Sequence, residues 1–208
     1  MPVFSKDDLR VLFVHVPKAG GSAIERAFAD AEWRVAYRDA RVRAGGLNDL
    51  RRCSPQHMHA SMLETILAPE RFDAVFMTVR EPLARFRSEY AMRNAQAGAP
   101  AAAAVERWYD EAVRAYAANP FVHDNHLRPQ VEFVLPNAQV YRLEEGLENV
   151  VADLNERFGL GLPPTVPRVM DRHIQDGIHS RDVPISERLE RRLRIAYAED
   201  FVRFGYSA

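Results

Sequence analysis

Lys18 sits in the run Val14-His15-Val16-Pro17-Lys18-Ala19-Gly20-Gly21-Ser22-Ala23, where an apolar stretch gives way to glycines and then to a hydroxyl. A lysine and two glycines between a strand and a helix suit an anion, because free backbone N–H groups and the positive end of the helix dipole meet there. Gly20 and Gly21 let the main chain approach a phosphate or sulfate closely, Lys18 adds a charge and Ser22 offers a hydroxyl. An ordinary connecting turn is the competing reading. The order G-x-x-x-x-G-K-[ST], with the lysine after the glycines, occurs nowhere in the chain, so an ATPase or kinase loses most of its support.

Further along, Arg80 ends an apolar run and Ser88 follows eight positions later. On a helix that is about two turns, so Arg80 can grip a phosphate in two places while Ser88 adds a neutral hydrogen bond. Pairing of Arg80 with Glu81 or Glu89 is the plainer alternative. Between the two segments, His57 and His59 occupy alternate positions and share a face if the chain is extended there. They could be a metal site, a base with its helper, or chance, and zinc ranks low because no further histidine or cysteine nearby completes a ligand set. A second candidate region, His-Asp-Asn-His-Leu-Arg-Pro-Gln, carries His126, Arg128 and Gln130, an imidazole with further polar side chains that could bind a ligand or serve the loop's own structure.

Positioning these groups requires strands that stop at the loops. Val11–Val16 reads as a buried strand, followed by a helix that Ser22 can cap. Ala74–Val79 reads as a second strand, and Pro82 opens a helix running to about Asn94. The alanine-rich stretch from Ala97 reads as a flexible connection into a helix over Val105–Ala118. A third strand over Ala138–Leu143 precedes a helix over Leu147–Phe158 that Gly159 closes. Pro163, Pro164 and Pro167 mark a loop before a last helix over Ser186–Ala198. The stretch Trp33–Pro55, mixed and basic with Arg34, Arg38, Arg41, Arg43, Arg51 and Arg52 about a Gly45-Gly46 break, carries no assignable element and reads most plainly as a solvated, irregular segment. Strands alternating with helices predict an α/β fold around a central, mainly parallel sheet.

A chain of 208 residues, 47% hydrophobic, suits one compact domain spanning residues 1–208. A formal net charge of −1 argues against a surface built for nucleic acid, so any anion site must be local. One cysteine, Cys53, rules out an internal disulfide and fits a reducing cytoplasm. No stretch approaches the roughly 20 apolar residues of a membrane span, and the charged N-terminus does not read as a signal peptide.

Pro17-Lys18-Ala19-Gly20-Gly21-Ser22 resembles the 5′-phosphosulfate loop of the sulfotransferases, commonly P-K-T-G-G-T, and Arg80 with Ser88 resembles their 3′-phosphate motif. The His-x-His resembles that of heparan sulfate 2-O-sulfotransferases, where the second histidine is implicated as the base. The segments around Arg142 and Tyr197–Tyr206 resemble the family's R-x-E-D-L and Y-x-x-D-x-x-x-F-G-Y regions. The resemblance implies a P-loop-like three-layer fold. It also implies transfer of a sulfuryl group from 3′-phosphoadenosine 5′-phosphosulfate to a hydroxyl of a glycan or small-molecule acceptor, leaving 3′,5′-ADP, with no metal. Pro17 to Ala23, Arg80 and Ser88 would bind the donor, Lys18 would act in catalysis, and His59 would be the base with His57 in support. Ala19 and Ala23 replace common hydroxyl residues and Glu81 a common aspartate. Those alanines keep open a nucleotide-binding domain without turnover, and a kinase-like phosphotransferase is the other rival.

Overall fold

The computed structural model describes residues 2–39, 48, 50–95, 98–166 and 178–207. Arg41, Arg43, the Gly45-Gly46 break, Ala97 and Pro167 lie outside them. The described residues form a five-stranded sheet and seven α-helices. The strands are β1 (Val3–Lys6), β2 (Leu9–Val14), β3 (Arg34–Ala36), β4 (Ala74–Val79) and β5 (Gln139–Arg142), in the order β3-β1-β2-β4-β5.

Strand β2 pairs in parallel with β4, and β4 with β5, but β1 lies antiparallel to both β2 and β3. Strands β2, β3, β4 and β5 therefore run the same way, so the sheet is mainly parallel as expected, with one reversed strand, β1. The cause of the reversal is local: only Asp7 and Asp8 join β1 to β2, with Asp7 in the left-handed region at φ 51°. A connection that short can only reverse the chain.

Strands β2 and β4 are apolar on both faces because both are covered. Leu12, Val14, Met77 and Val79 pack with Leu63 of helix α2 (Ala60–Ile66) and with Phe133. Val11, Phe13 and Phe76 face the other way, against Ile24 and Phe28 of α1 (Gly21–Asp30) and Val151 and Leu154 of α5 (Leu147–Phe158). A third cluster joins α3 (Pro82–Arg93) and α4 (Ala102–Ala118) to the C-terminal helices α6 (Glu187–Ala196) and α7 (Ala198–Phe204).

Several boundaries moved for identifiable reasons. Gly20, at φ 87°, caps α1 in place of Ser22, whose side chain is exposed in the first turn. Helix α4 begins at Ala102, within the tract expected to be flexible, since alanine is the strongest helix former. The last helix divides at Tyr197, which lies outside helical geometry at φ −116°, ψ 25°.

Candidate active site

The parallel pairing of β2 with β4 brings their C-terminal ends side by side, and the loops after Val14 and Val79 emerge at one edge of the sheet. That edge is where ligands bind in open α/β sheets. The first loop closes tightly: Ala23 and Ile24 donate their N–H groups to the carbonyl of Gly20 at 3.0 and 3.3 Å. Earlier first-turn amides of a helix have no partner within it and remain available to an anion. A Cβ on Gly20 would come within 2.9 Å of Leu143, and one on Gly21 within 2.1 Å of His15 Nε2.

Three consecutive carbonyls of this loop are tied to the β4–α3 unit. Arg85 Nε donates to Pro17 O at 3.0 Å, Arg80 Nη1 to Lys18 O at 3.4 Å, and Thr78 Oγ1 to Ala19 O at 2.7 Å. Lys18 takes φ 66°, and its Nζ donates to Met92 Sδ at 3.3 Å. A cavity of about 950 Å³ opens over the loop, bordered by Pro17, Lys18, Gly20 to Ala23, Arg80 and Ser88. Ala19 is fully buried beneath it. Burial lowers the Arg80 guanidinium pKa, against the opposing pull of Glu144 and Glu81.

The same cavity is bordered by His15, His57 and His126. Each directs Nδ1 at a carboxylate: His15 at Glu25 (2.7 Å), His57 at Asp124 (2.7 Å) and His126 at Glu89 (2.6 Å). The rings stand edge to face in a row, with centroids 4.9 Å apart for His15 and His57 and 4.8 Å for His57 and His126. Burial pushes His57 down to about 4 despite its bond to Asp124, and His126 down to about 4 despite Glu89. Burial would raise the Glu89 carboxyl, but His126 and then Arg93 outweigh it and hold it at about 2. The same contest at Asp124, decided by His57 and the Ser54 N–H, leaves it below the usual carboxylate range. An ionised carboxylate can only accept, so Nδ1 of each partner carries the proton and Nε2 keeps its lone pair.

His59 does not border the cavity. It is buried at the start of α2, with its ring 5.8 Å from Phe121 and 6.4 Å from Phe133, and Asn125 Nδ2 lies 3.4 Å from its Nδ1. The expected common face fails because His57 ends a 3₁₀ turn, Pro55–His57, so the segment is not extended through both imidazoles. Arg128 and Gln130 are likewise buried outside the cavity lining. Arg128 donates to Asn125 Oδ1 at 3.1 Å and pairs with Glu132. Gln130 clasps the main chain of Arg80, accepting from its N–H at 2.9 Å and donating to its carbonyl at 2.7 Å.

Sequence reasoning passed over Thr78, Arg85, Glu25, Glu89, Asp124 and His15 as site residues. Thr78 had a visible signal, a hydroxyl in a strand that is otherwise apolar. The carboxylates had none, since Asp124 meets His57 across 67 positions and Glu89 meets His126 across 37. For a metal, His57, Asp124 and His126 offer ligand-type atoms within 4.8 Å of one another. Both imidazole Nδ1 atoms and both Asp124 oxygens already hold hydrogen bonds, so a metal there is left the Nε2 atoms.

The model of one protein family, described as "Sulfotransferase family", matches residues 1–207. No curated protein and no solved structure matches the chain. Among the described residues, no helix is long and apolar enough to cross a membrane.

Proposed function

The chain belongs to the sulfotransferase family, and from that premise we propose that it moves a sulfuryl group from 3′-phosphoadenosine 5′-phosphosulfate to a hydroxyl of a carbohydrate-like acceptor. One observation carries this reading: a glycine loop with its lysine, an arginine–serine pair and carboxylate-held imidazoles all face one cavity. Its volume, about 950 Å³, suits a nucleotide with room for an acceptor.

In this reading the loop amides and Ser22 hold the 5′-phosphosulfate, and Arg80 with Ser88 holds the 3′-phosphate. Ala19 and Ala23 contribute through the backbone, and the ties from Thr78 and Arg85 keep that backbone in place. His57 takes the role that the resemblance gave to His59, because His57 borders the cavity and His59 does not. Its Nε2 accepts the hydroxyl proton as the acceptor oxygen bonds to sulfur. The sulfur–oxygen bond to the phosphate breaks in line, and its electron pair stays on 3′,5′-ADP, where Lys18 offsets the charge. Asp124 fixes the His57 tautomer and stabilises the imidazolium that forms. Residues 1–208 act as one domain, and the scheme calls for no metal.

Calorimetric titration with 3′,5′-ADP and 5′-ADP, with and without magnesium, tests the donor assignment on the native chain and on Arg80→Ala. The expected result is a strong, metal-independent preference for the 3′-phosphorylated nucleotide that Arg80→Ala abolishes. Equal binding of both nucleotides, or binding that needs magnesium, would put a kinase-like phosphotransferase in its place.

A further inference from the structure

His126 has everything that makes His57 a base, yet in-line transfer to one hydroxyl needs only one. Its Nδ1 donates to Glu89, and Arg93 Nε in turn donates to the other Glu89 oxygen at 2.8 Å. Its side chain is 10% exposed, against 9% for His57, so each ring shows little more than one edge to the cavity. The two rings stand 4.8 Å apart at 80°. With their Nδ1 protons committed to carboxylates, these two neighbouring, cavity-bordering rings each keep only the Nε2 lone pair for a ligand, so neither imidazole can donate to one.

Such a pair is selective. One hydroxyl has one proton and can satisfy one acceptor, leaving the other buried without a donor, which costs as much as a lost hydrogen bond. Two hydroxyls on adjacent carbons satisfy both. Resting on the reading of this cavity as a sulfuryl-transfer site, we propose that its acceptor is a vicinal diol, as in a sugar or polyol: the hydroxyl facing His57 is sulfated while its neighbour donates a hydrogen bond to His126. The proton of the attacking hydroxyl passes to His57 Nε2 and the new bond joins its oxygen to sulfur. The second hydroxyl keeps its proton and is not consumed.

The carboxylates that fix the two imidazoles come from different elements, Asp124 from the turn before His126 and Glu89 from α3. Losing one histidine therefore leaves the other's support intact.

Sulfate transfer is followed by mass spectrometry with a panel of methyl pyranosides and, for each, the deoxy analogues that lack one hydroxyl. Removing the hydroxyl next to the sulfated one is expected to lower kcat/KM about tenfold or more, the usual consequence of an orphaned buried acceptor. In His126→Ala the acceptor that the deoxy analogue leaves unpaired is gone, so the diol loses its advantage and the two are used alike, while 3′,5′-ADP binding is unchanged. Equal use of diol and deoxy analogue by the native chain overturns the proposal, and so does an equal loss on both in His126→Ala. Transfer to no pyranoside while 3′,5′-ADP still binds also overturns it, leaving the donor assignment intact. Failure to bind 3′,5′-ADP at all removes the sulfuryl-transfer reading itself.

Discussion

Gly21 opens α1 against the ring of His15, and a side chain there would begin 2.1 Å from Nε2. The imidazole cannot retreat easily, because Glu25 holds its other nitrogen at 2.7 Å and both side chains are buried. Gly21→Ala is thus expected to lower stability by about 1–3 kcal/mol, as overpacking does, and to weaken 3′,5′-ADP binding, both read by thermal melting with and without the nucleotide. Asp124 has a different role, since one oxygen holds His57 Nδ1 at 2.7 Å and the other accepts the Ser54 N–H at 2.6 Å. Asp124→Asn removes the acceptor that selects the Nδ1–H tautomer, so kcat should fall about a hundredfold or more while 3′,5′-ADP affinity holds. Nitrogen-15 NMR of the histidines should show the Nδ1–H form of His57 in the native chain and its loss in the variant. An unchanged tautomer with unchanged kcat would remove His57 as the base.

Two elements do the positioning. In the turn after α4, His123, Asp124 and Asn125 take φ 55°, 59° and 65°, three left-handed residues in succession. That conformation costs an L-residue roughly 1–2 kcal/mol, and Asp, Asn and His are the types that tolerate it best. Here it aims Asp124 at His57, while Asn125 Nδ2 donates to the His57 carbonyl at 2.8 Å. The β4–α3 unit does the same for the glycine loop through Thr78, Arg80 and Arg85. Thr78→Val keeps the shape of the side chain but strands the Ala19 carbonyl, at an expected cost of about 1–3 kcal/mol. Chemical denaturation should show that loss, and titration should show weaker 3′,5′-ADP binding. Full nucleotide affinity in a destabilised Thr78→Val would mean that the tie supports the fold and not the loop.

Across the molecule, the buried histidines make stability depend on pH. His57 and His126 titrate at about 4 in the folded chain, against an ordinary value of 6.5. Between those values the unfolded chain binds protons that the folded one refuses, so stability rises with pH there. Their contribution is complete above about pH 6.5 and is lost as pH falls to about 4. Glu89, held at about 2, extends the loss further into acid. Melting temperatures should fall steadily from about pH 6.5 to 4. A flat profile across that window would mean that these imidazoles are not buried as neutral groups.

The amino-acid sequence by itself determined the elements whose patterns are local. Strand β4 over Ala74–Val79 and helix α5 over Leu147–Phe158, closed by Gly159 at φ 63°, fall where periodicity and capping place them. The glycine loop, Arg80 and Ser88 are local too, and they border one cavity because parallel β2 and β4 end side by side. Tertiary structure alone decided the rest. Strand β1 carries mixed, partly exposed residues that become a strand only by pairing on both sides. His57 rather than His59 reaches the cavity because a 3₁₀ turn breaks the alternation a strand would have kept. The carboxylates that give the histidines their charge state arrive from 10, 37 and 67 positions away. A side chain's identity is written in the chain, but its protonation depends on burial and neighbours, which exist only once the chain has folded.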